Sequence, residues 1–150
     1  MQMADVDRRS SQLDEIAEAL PQRSSALSRL FLTRTSVCVS RTEVGVLRNL
    51  HGAPRRITEL AAEERVTQPA ITLLVNRLQE RGWVQRVPDP SDGRAVLVSL
   101  TPAGEEVFER LRAEYRALLH EEMASLEDSE VETLAAAVSI LDKLIDRLAR

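Results

Sequence analysis

Residues 57–101, ITELAAEERVTQPAITLLVNRLQERGWVQRVPDPSDGRAVLVSLT, constrain the chain more than any other stretch. The run predicts a short helix, a tight turn, a second helix and a two-stranded hairpin with a charged tip. Thr67 can cap the second helix by accepting from a backbone N–H, and Pro69 falls in the first turn, where its missing N–H costs nothing. Ile71, Leu74, Val75 and Leu78 follow the i, i+3, i+4, i+7 rule and mark a buried stripe. The opposite face carries Pro69, Leu73 and Asn76, flanked by Thr72 and Arg77, and Gly82 supplies the stop. Trp83 to Val87 and Ala95 to Leu100 are rich in β-branched and aromatic residues, and Pro88 to Arg94 between them is turn chemistry. A helix that buries one stripe and shows small polar groups and an arginine on the other suits a major groove. The parts add up to a winged helix-turn-helix.

Three segments at this spacing carry a specific resemblance: Thr67-Gln68-Pro69-Ala70-Ile71-Thr72, LQERGWVQR from Leu78 to Arg86, and Asp92-Gly93-Arg94 running into Val98-Ser99-Leu100-Thr101-Pro102. Together they resemble the MarR family of bacterial transcription regulators. The resemblance implies a mainly α chain with a small β-hairpin wing, a winged helix-turn-helix flanked by N- and C-terminal dimerisation helices. Residues 10–36 form the N-terminal dimerisation helix, 41–101 the DNA-binding lobe and 102–150 the C-terminal dimerisation helices, in a single domain.

The resemblance also assigns roles. Thr72, Asn76 and Arg77 match positions from which the family contacts bases. Asparagine pairs bidentately with adenine and arginine with guanine, each good pair contributing about 1–3 kcal/mol of discrimination. Gln68 and Pro69 at the helix start belong near phosphate and thymine methyl groups, and Thr67 before them joins the residues expected to bind DNA. Leu73 departs from the family, which often has a polar or basic residue there; it either touches a thymine methyl or packs against a neighbour. Arg94 is expected in the minor groove, where narrow A·T tracts attract arginine, with Asp92 orienting it through an ion pair. The plainer reading of that pair is a hairpin-tip ion pair with no partner, worth little by itself.

The flanks agree with a dimer. Leu13, Ile16, Ala17 and Leu20 have helical spacing, with Ser11 and Asp14 placed as a capping pair. Pro21 then either kinks one long helix or starts a second segment from about Gln22 to Thr35. Ser40 and Glu43 form a capping box for a helix ending at Gly52, and Thr58 can cap the next, Glu59 to about Arg65. That helix belongs across the phosphate backbone. Arg55 and Arg56 read equally well as phosphate contacts or as solvated loop residues. Thr101 can cap a helix with Pro102 at its first position, bearing Val107, Leu111, Tyr115, Leu118 and Leu119. A last helix repeats Val131, Leu134, Val138, Leu141, Ile145 and Leu148 at near-heptad steps. These stripes outlast a winged-helix core and need another surface to cover them.

The net charge of −4 conceals an uneven distribution. Residues 41–100 hold nine arginines against seven carboxylates, whereas residues 101–150 hold six basic against twelve acidic groups. A basic middle and an acidic end suit specific rather than indiscriminate nucleic-acid contact.

Other residues have plainer readings. Cys38 reads as a buried, inert thiol; it does not match the oxidant-sensing cysteines of some relatives, which sit nearer the start of the first helix. His51, just before Gly52, reads as bonding a terminal carbonyl, and His120 as a surface residue. Two histidines and one cysteine so scattered give no metal-ligand spacing, so neither metal nor cofactor is expected. Glu63-Glu64 and Glu121-Glu122 read as solvated faces. Trp83 reads as core.

No glycine-rich phosphate loop, activated nucleophile or paired acid-base group appears, so the chain is not expected to be an enzyme. No stretch approaches eighteen consecutive apolar residues, and the N-terminus has no signal-peptide run. A cytoplasmic protein with no membrane partner is expected.

The expected function is a homodimeric regulator, usually a repressor, reading an inverted-repeat (palindromic) operator in double-stranded DNA. A small aromatic or phenolic effector would lower its affinity. The alternatives are a regulator of the same fold answering to oxidation at Cys38, and a winged-helix module that binds protein and not DNA.

Overall fold

The computed structural model describes the backbone of residues 2–149 and the side chains of residues 7–92 and 95–149. Six helices and three strands follow in order: α1 (Gln2–Arg34), α2 (Arg41–Gly52), β1 (Arg55–Arg56), α3 (Ile57–Glu63), α4 (Gln68–Glu80), β2 (Val84–Asp89), β3 (Asp92–Leu100), α5 (Pro102–Met123) and α6 (Asp128–Leu148). The chain divides into two compact units, residues 1–112 and 113–150.

In the first unit, α2, α3, α4, the sheet and the start of α5 enclose one core. Val46, Leu47, Leu60, Ile71, Val75, Leu78, Val98 and Leu111 are its most deeply buried side chains. Burying an aliphatic side chain of this size contributes about 1.5–3 kcal/mol. The stripe expected on α4 is the buried one: Ile71, Leu74, Val75 and Leu78.

Local signals set the helix starts. Ser40 Oγ accepts from the Glu43 N–H (3.2 Å) while Glu43 takes the Ser40 N–H (2.7 Å), the reciprocal box expected for α2. Thr67 Oγ1 accepts from the Ala70 N–H at 3.4 Å, and Thr101 Oγ1 from the Gly104 N–H at 3.1 Å. Thr58 is not the cap of α3. Arg56 holds that position, and its N–H donates to Glu59 at 2.7 Å. The helix starts early because Arg55 and Arg56 are drawn into a strand, pairing antiparallel with Val98 and Leu97 of β3. The expected two-stranded hairpin is thus a three-stranded sheet in the order β1-β3-β2.

The helix ends repeat one device. Arg65 and Gly82, just beyond α3 and α4, both have positive φ, 53° and 74°. After α3, Arg65 N–H bonds to Ala62 O and Val66 N–H to Ala61 O; after α4, Gly82 N–H bonds to Gln79 O and Trp83 N–H to Leu78 O. Both are Schellman ends, which satisfy the last carbonyls through a left-handed residue. The α4 end uses the glycine read from the sequence, and the α3 end uses an arginine.

Helix α1 is one continuous element with Pro21 inside it. It runs from Gln2, so Ser11 and Asp14 lie within the helix and do not cap its start. Its Leu13, Ile16, Leu27 and Leu30 are exposed. In the second unit, Glu127 begins α6, its N–H donating to Glu130 at 3.0 Å. No α6 residue is buried, and Val131, Leu134, Val138, Ile140, Leu144, Ile145 and Leu148 are exposed. Among the described residues, no helix is long and apolar enough to cross a membrane.

Candidate nucleic-acid interface

With its buried stripe committed to the core, α4 turns the rest outward. Thr67, Gln68, Pro69, Asn76 and Arg77 are exposed and Thr72 is half-buried. Leu73 is 60% exposed and takes no part in the core. The helix start thus presents the Thr67 hydroxyl, the Gln68 amide and Pro69 together, and the next turns add Leu73, Asn76 and Arg77.

The wing stands beside this face. Strand β2 pairs with β3 from Val84↔Leu100 to Pro88↔Val96, then the register shifts to Asp89↔Asp92. The strands therefore run further than the expected limits of Val87 and Ala95, and residues 93–95 form a bulge. Asp89, which sequence reasoning left inside the turn, organises this end. It is 7% exposed. Its Oδ1 accepts from the Ser91 N–H (2.8 Å) and Oγ–H (2.6 Å), and its Oδ2 from Arg56 at 2.6 Å and 3.2 Å. The Ser91 hydroxyl, then Arg56, hold the Asp89 carboxyl down at about 2.

Arg56 therefore braces the wing and does not stand as a free phosphate contact. It also lies 3.9 Å from Asp92, the residue expected to orient Arg94. The Arg94 side chain lies outside the described residues, so the expected Asp92–Arg94 pair does too. The Arg55 Nε is buried with no hydrogen-bond partner, which places that part of the side chain away from solvent.

Sequence reasoning missed a contact joining wing to helix. Arg86, on β2, donates to Asn76 Oδ1 at 2.8 Å and through its other nitrogen to Gln79 Oε1. Asn76, Gln79, Glu80 and Arg86 line a shallow notch where the strand meets α4. Arg86 occupies one lone pair of the Asn76 carbonyl. The second lone pair and the amide N–H groups remain open at the surface. Arg86 closes the segment Leu78 to Arg86 that carries the family resemblance, but contact across seven to ten residues leaves no periodic trace.

The remaining side chains correct several expectations. Cys38 is exposed, not buried. Its carbonyl accepts from Arg81 at 2.8 Å, and the Arg81 guanidinium lies 3.6 Å from the centre of the Trp83 ring, covering a half-buried residue packed on the core. His51 meets carboxylates of α5 and not a helix-end carbonyl, with Nδ1 2.5 Å from Glu105. Glu64 is not on a solvated face: its side chain is 13% exposed and accepts from Asn49 at 2.9 Å. Burial raises its pKa. It fills the space beside Gly45, where any β-carbon would overlap its carboxylate.

Comparison with known proteins agrees with this geometry. Residues 39–95 match the model of the MarR family. A helix-turn-helix transcriptional regulator of Bacillus subtilis, YpoP, is 30% identical over 106 residues, 70% of this chain and 75% of that protein. The chain belongs to the MarR family. A helix-turn-helix regulator of Mycobacterium bovis is 38% identical over 87 residues, 58% of this chain, and the match spans 61% of that relative's length. The crystal structure of apo MarR from Escherichia coli superposes with a TM-score of 0.68 at 27% identity, covering 86% of this chain and 96% of that one. The MarR-family relatives named here are transcription regulators, not enzymes.

Proposed function

We propose that this chain is a homodimeric, sequence-specific DNA-binding regulator, acting as a repressor on an inverted-repeat operator. The observation that carries this reading is the exposed face of α4: Gln68, Pro69, Leu73, Asn76 and Arg77, next to the braced wing. Asn76 and Arg77 supply hydrogen bonds to base edges, Leu73 an apolar contact for a thymine methyl, and Thr67, Gln68 and Thr72 polar contacts around them. Arg94, with Asp92 beside it in the chain, enters the minor groove. The exposed apolar residues of α1 and α6 are covered by a second copy. Two recognition helices then stand about one DNA turn, roughly 34–36 Å, apart. A small aromatic or phenolic ligand lowers affinity by favouring a spacing that no longer fits both half-sites. The site of action is the cytoplasm.

The test is fluorescence anisotropy on DNA from just upstream of the chain's own coding region, with excess non-specific duplex and a salt series. Competitor-resistant binding that weakens with salt and drops in Arg94→Ala is expected. Binding no tighter than to random duplex, unchanged in Arg94→Ala, would favour the protein-interaction module.

The exposure of Cys38 favours a second reading, in which oxidation of that thiol modulates the same regulator. An identical peroxide response in Cys38→Ser would remove it.

A further inference from the structure

Away from the α4 and wing surface, the last turn of α2 meets the first two turns of α5. His51 faces Glu105 and Glu109, which stand one helical turn apart on one side of α5. Imidazole Nδ1 lies 2.5 Å from Glu105 Oε1, and Nε2 lies 3.6 Å from Glu109 Oε1. One ligand atom from each of the three residues falls within 4.8 Å of the others. The imidazole is seated on the buried Phe108 ring, with centroids 4.9 Å apart. The three side chains are between 35% and 49% exposed, so a hydrated ion reaches them without opening the fold. Neither the core nor the α4 surface uses them.

We propose that His51, Glu105 and Glu109 bind a first-row divalent transition-metal ion of the zinc type, joining the end of α2 to the start of α5. The donor set decides the class. An imidazole nitrogen favours zinc and its neighbours over magnesium or calcium, and two carboxylates neutralise the divalent charge. One ring nitrogen binds the ion. The other is left to donate to water, since both glutamates are committed to the ion. Three protein ligands leave a coordination position for water. Bringing all three donors onto one ion moves one carboxylate from its present ring nitrogen toward the other, a motion open to the partly exposed Glu105 and Glu109 side chains.

Arg112 is the competitor. It donates to Glu109 Oε1 at 2.7 Å, and the ion must take that oxygen from it. Removing Arg112 therefore tightens the site, a result that a mere ion-pair cluster does not produce. The spacing of histidines and cysteines gave no hint of this site, because two of its three ligands are glutamates more than fifty residues away in sequence.

The proposal does not depend on DNA binding and is tested on the full chain without DNA. After stripping with a chelator and dialysis, the protein is titrated with Zn2+ against a chromophoric competitor, and the histidine ring resonances are followed by NMR. The expected result is one ion per chain, with the His51 ring shifted and His120 unmoved. His51→Ala and Glu105→Gln should each weaken binding by about tenfold or more, and Arg112→Ala should tighten it. Zn2+ should raise the melting temperature of the wild type and not of His51→Ala, and equal Mg2+ should not compete. Circular dichroism verifies that the variants are folded, and the NMR shift on wild type stands without them. Binding absent, or unchanged in His51→Ala, or abolished by Cys38→Ser or His120→Ala, would overturn the proposal. The cluster would then be a polar contact between His51 and its two glutamates and nothing more.

Discussion

Arg86 and Asp89 each set the posture of a neighbour. Arg86 holds the Asn76 carbonyl at 2.8 Å, so the amide is ordered before any base edge arrives. Ordering a side chain in advance spares about 0.5–1.5 kcal/mol on association. Arg86→Ala should therefore lower operator affinity by about that amount, read by anisotropy, with the discriminated base unchanged. The Ser91 hydroxyl and Arg56 hold the Asp89 carboxyl at about 2, well below the usual carboxylate range. A depressed carboxyl contributes stability at pH above its unfolded value, and that contribution is lost as pH falls through about 2. Carbon-detected NMR should place the Asp89 midpoint near 2, and Ser91→Ala, which removes the leading cause, should move it upward. An unmoved midpoint would assign the shift to Arg56 and the Ser91 N–H, which the substitution leaves in place. Neither partnership was legible in the sequence. Asn76 could be assigned to the exposed face by counting helical positions, but its partner arrives from a strand through the tertiary fold. Cys38 and Glu64 were misread for the same reason: exposure at a loop, or burial against a glycine, is set by what packs there.

At the scale of elements, α4 was readable almost whole. Its Thr67 cap, Pro69, buried stripe and Gly82 stop are local signals, and each stands where the spacing put it. The end of α3 was not readable, since Arg65 occupies the left-handed position that glycine marks in α4. A non-glycine residue there is disfavoured by about 1–2 kcal/mol, part of which glycine's greater unfolded-state freedom offsets. Arg65→Gly should raise stability by about 0.5–1 kcal/mol in denaturant melts; a loss would mean the arginine side chain has an offsetting role. Strand β1 was equally hidden, because two residues show no alternation and their pairing depends on β3. Gly104 marks another contact that sequence does not declare. A β-carbon there would overlap the Trp83 carbonyl, which itself accepts from the Thr101 N–H at 3.0 Å. Gly104→Ala should destabilise the chain by about 1–3 kcal/mol, visible as a lower urea midpoint. An unchanged midpoint would show that α5 can slide.

For the whole molecule, the proposed dimer accounts for apolar side chains that a monomer leaves in water. Leu134 and Ile145 on α6 are 42% and 62% exposed. Replacing both with glutamate should yield a monomer by sedimentation velocity and weaken operator binding by losing the second half-site. A dimer that survives the change would place the interface elsewhere. The family and its helix-turn-helix were legible because base recognition demands fixed local spacing. The apolar stripes of α1 and α6 were legible too, but what covers them was legible only as a need.

The most direct test of the account is a base-pair substitution scan of the operator, run in competition format with wild type and Asn76→Ala. Wild type should lose about 1–3 kcal/mol at each contacted pair. Asn76→Ala should lose that penalty at one symmetry-related position per half-site, with the salt dependence unchanged, because a base contact and not a phosphate contact has gone. If the two profiles superimpose, the exposed face of α4 does not read the operator.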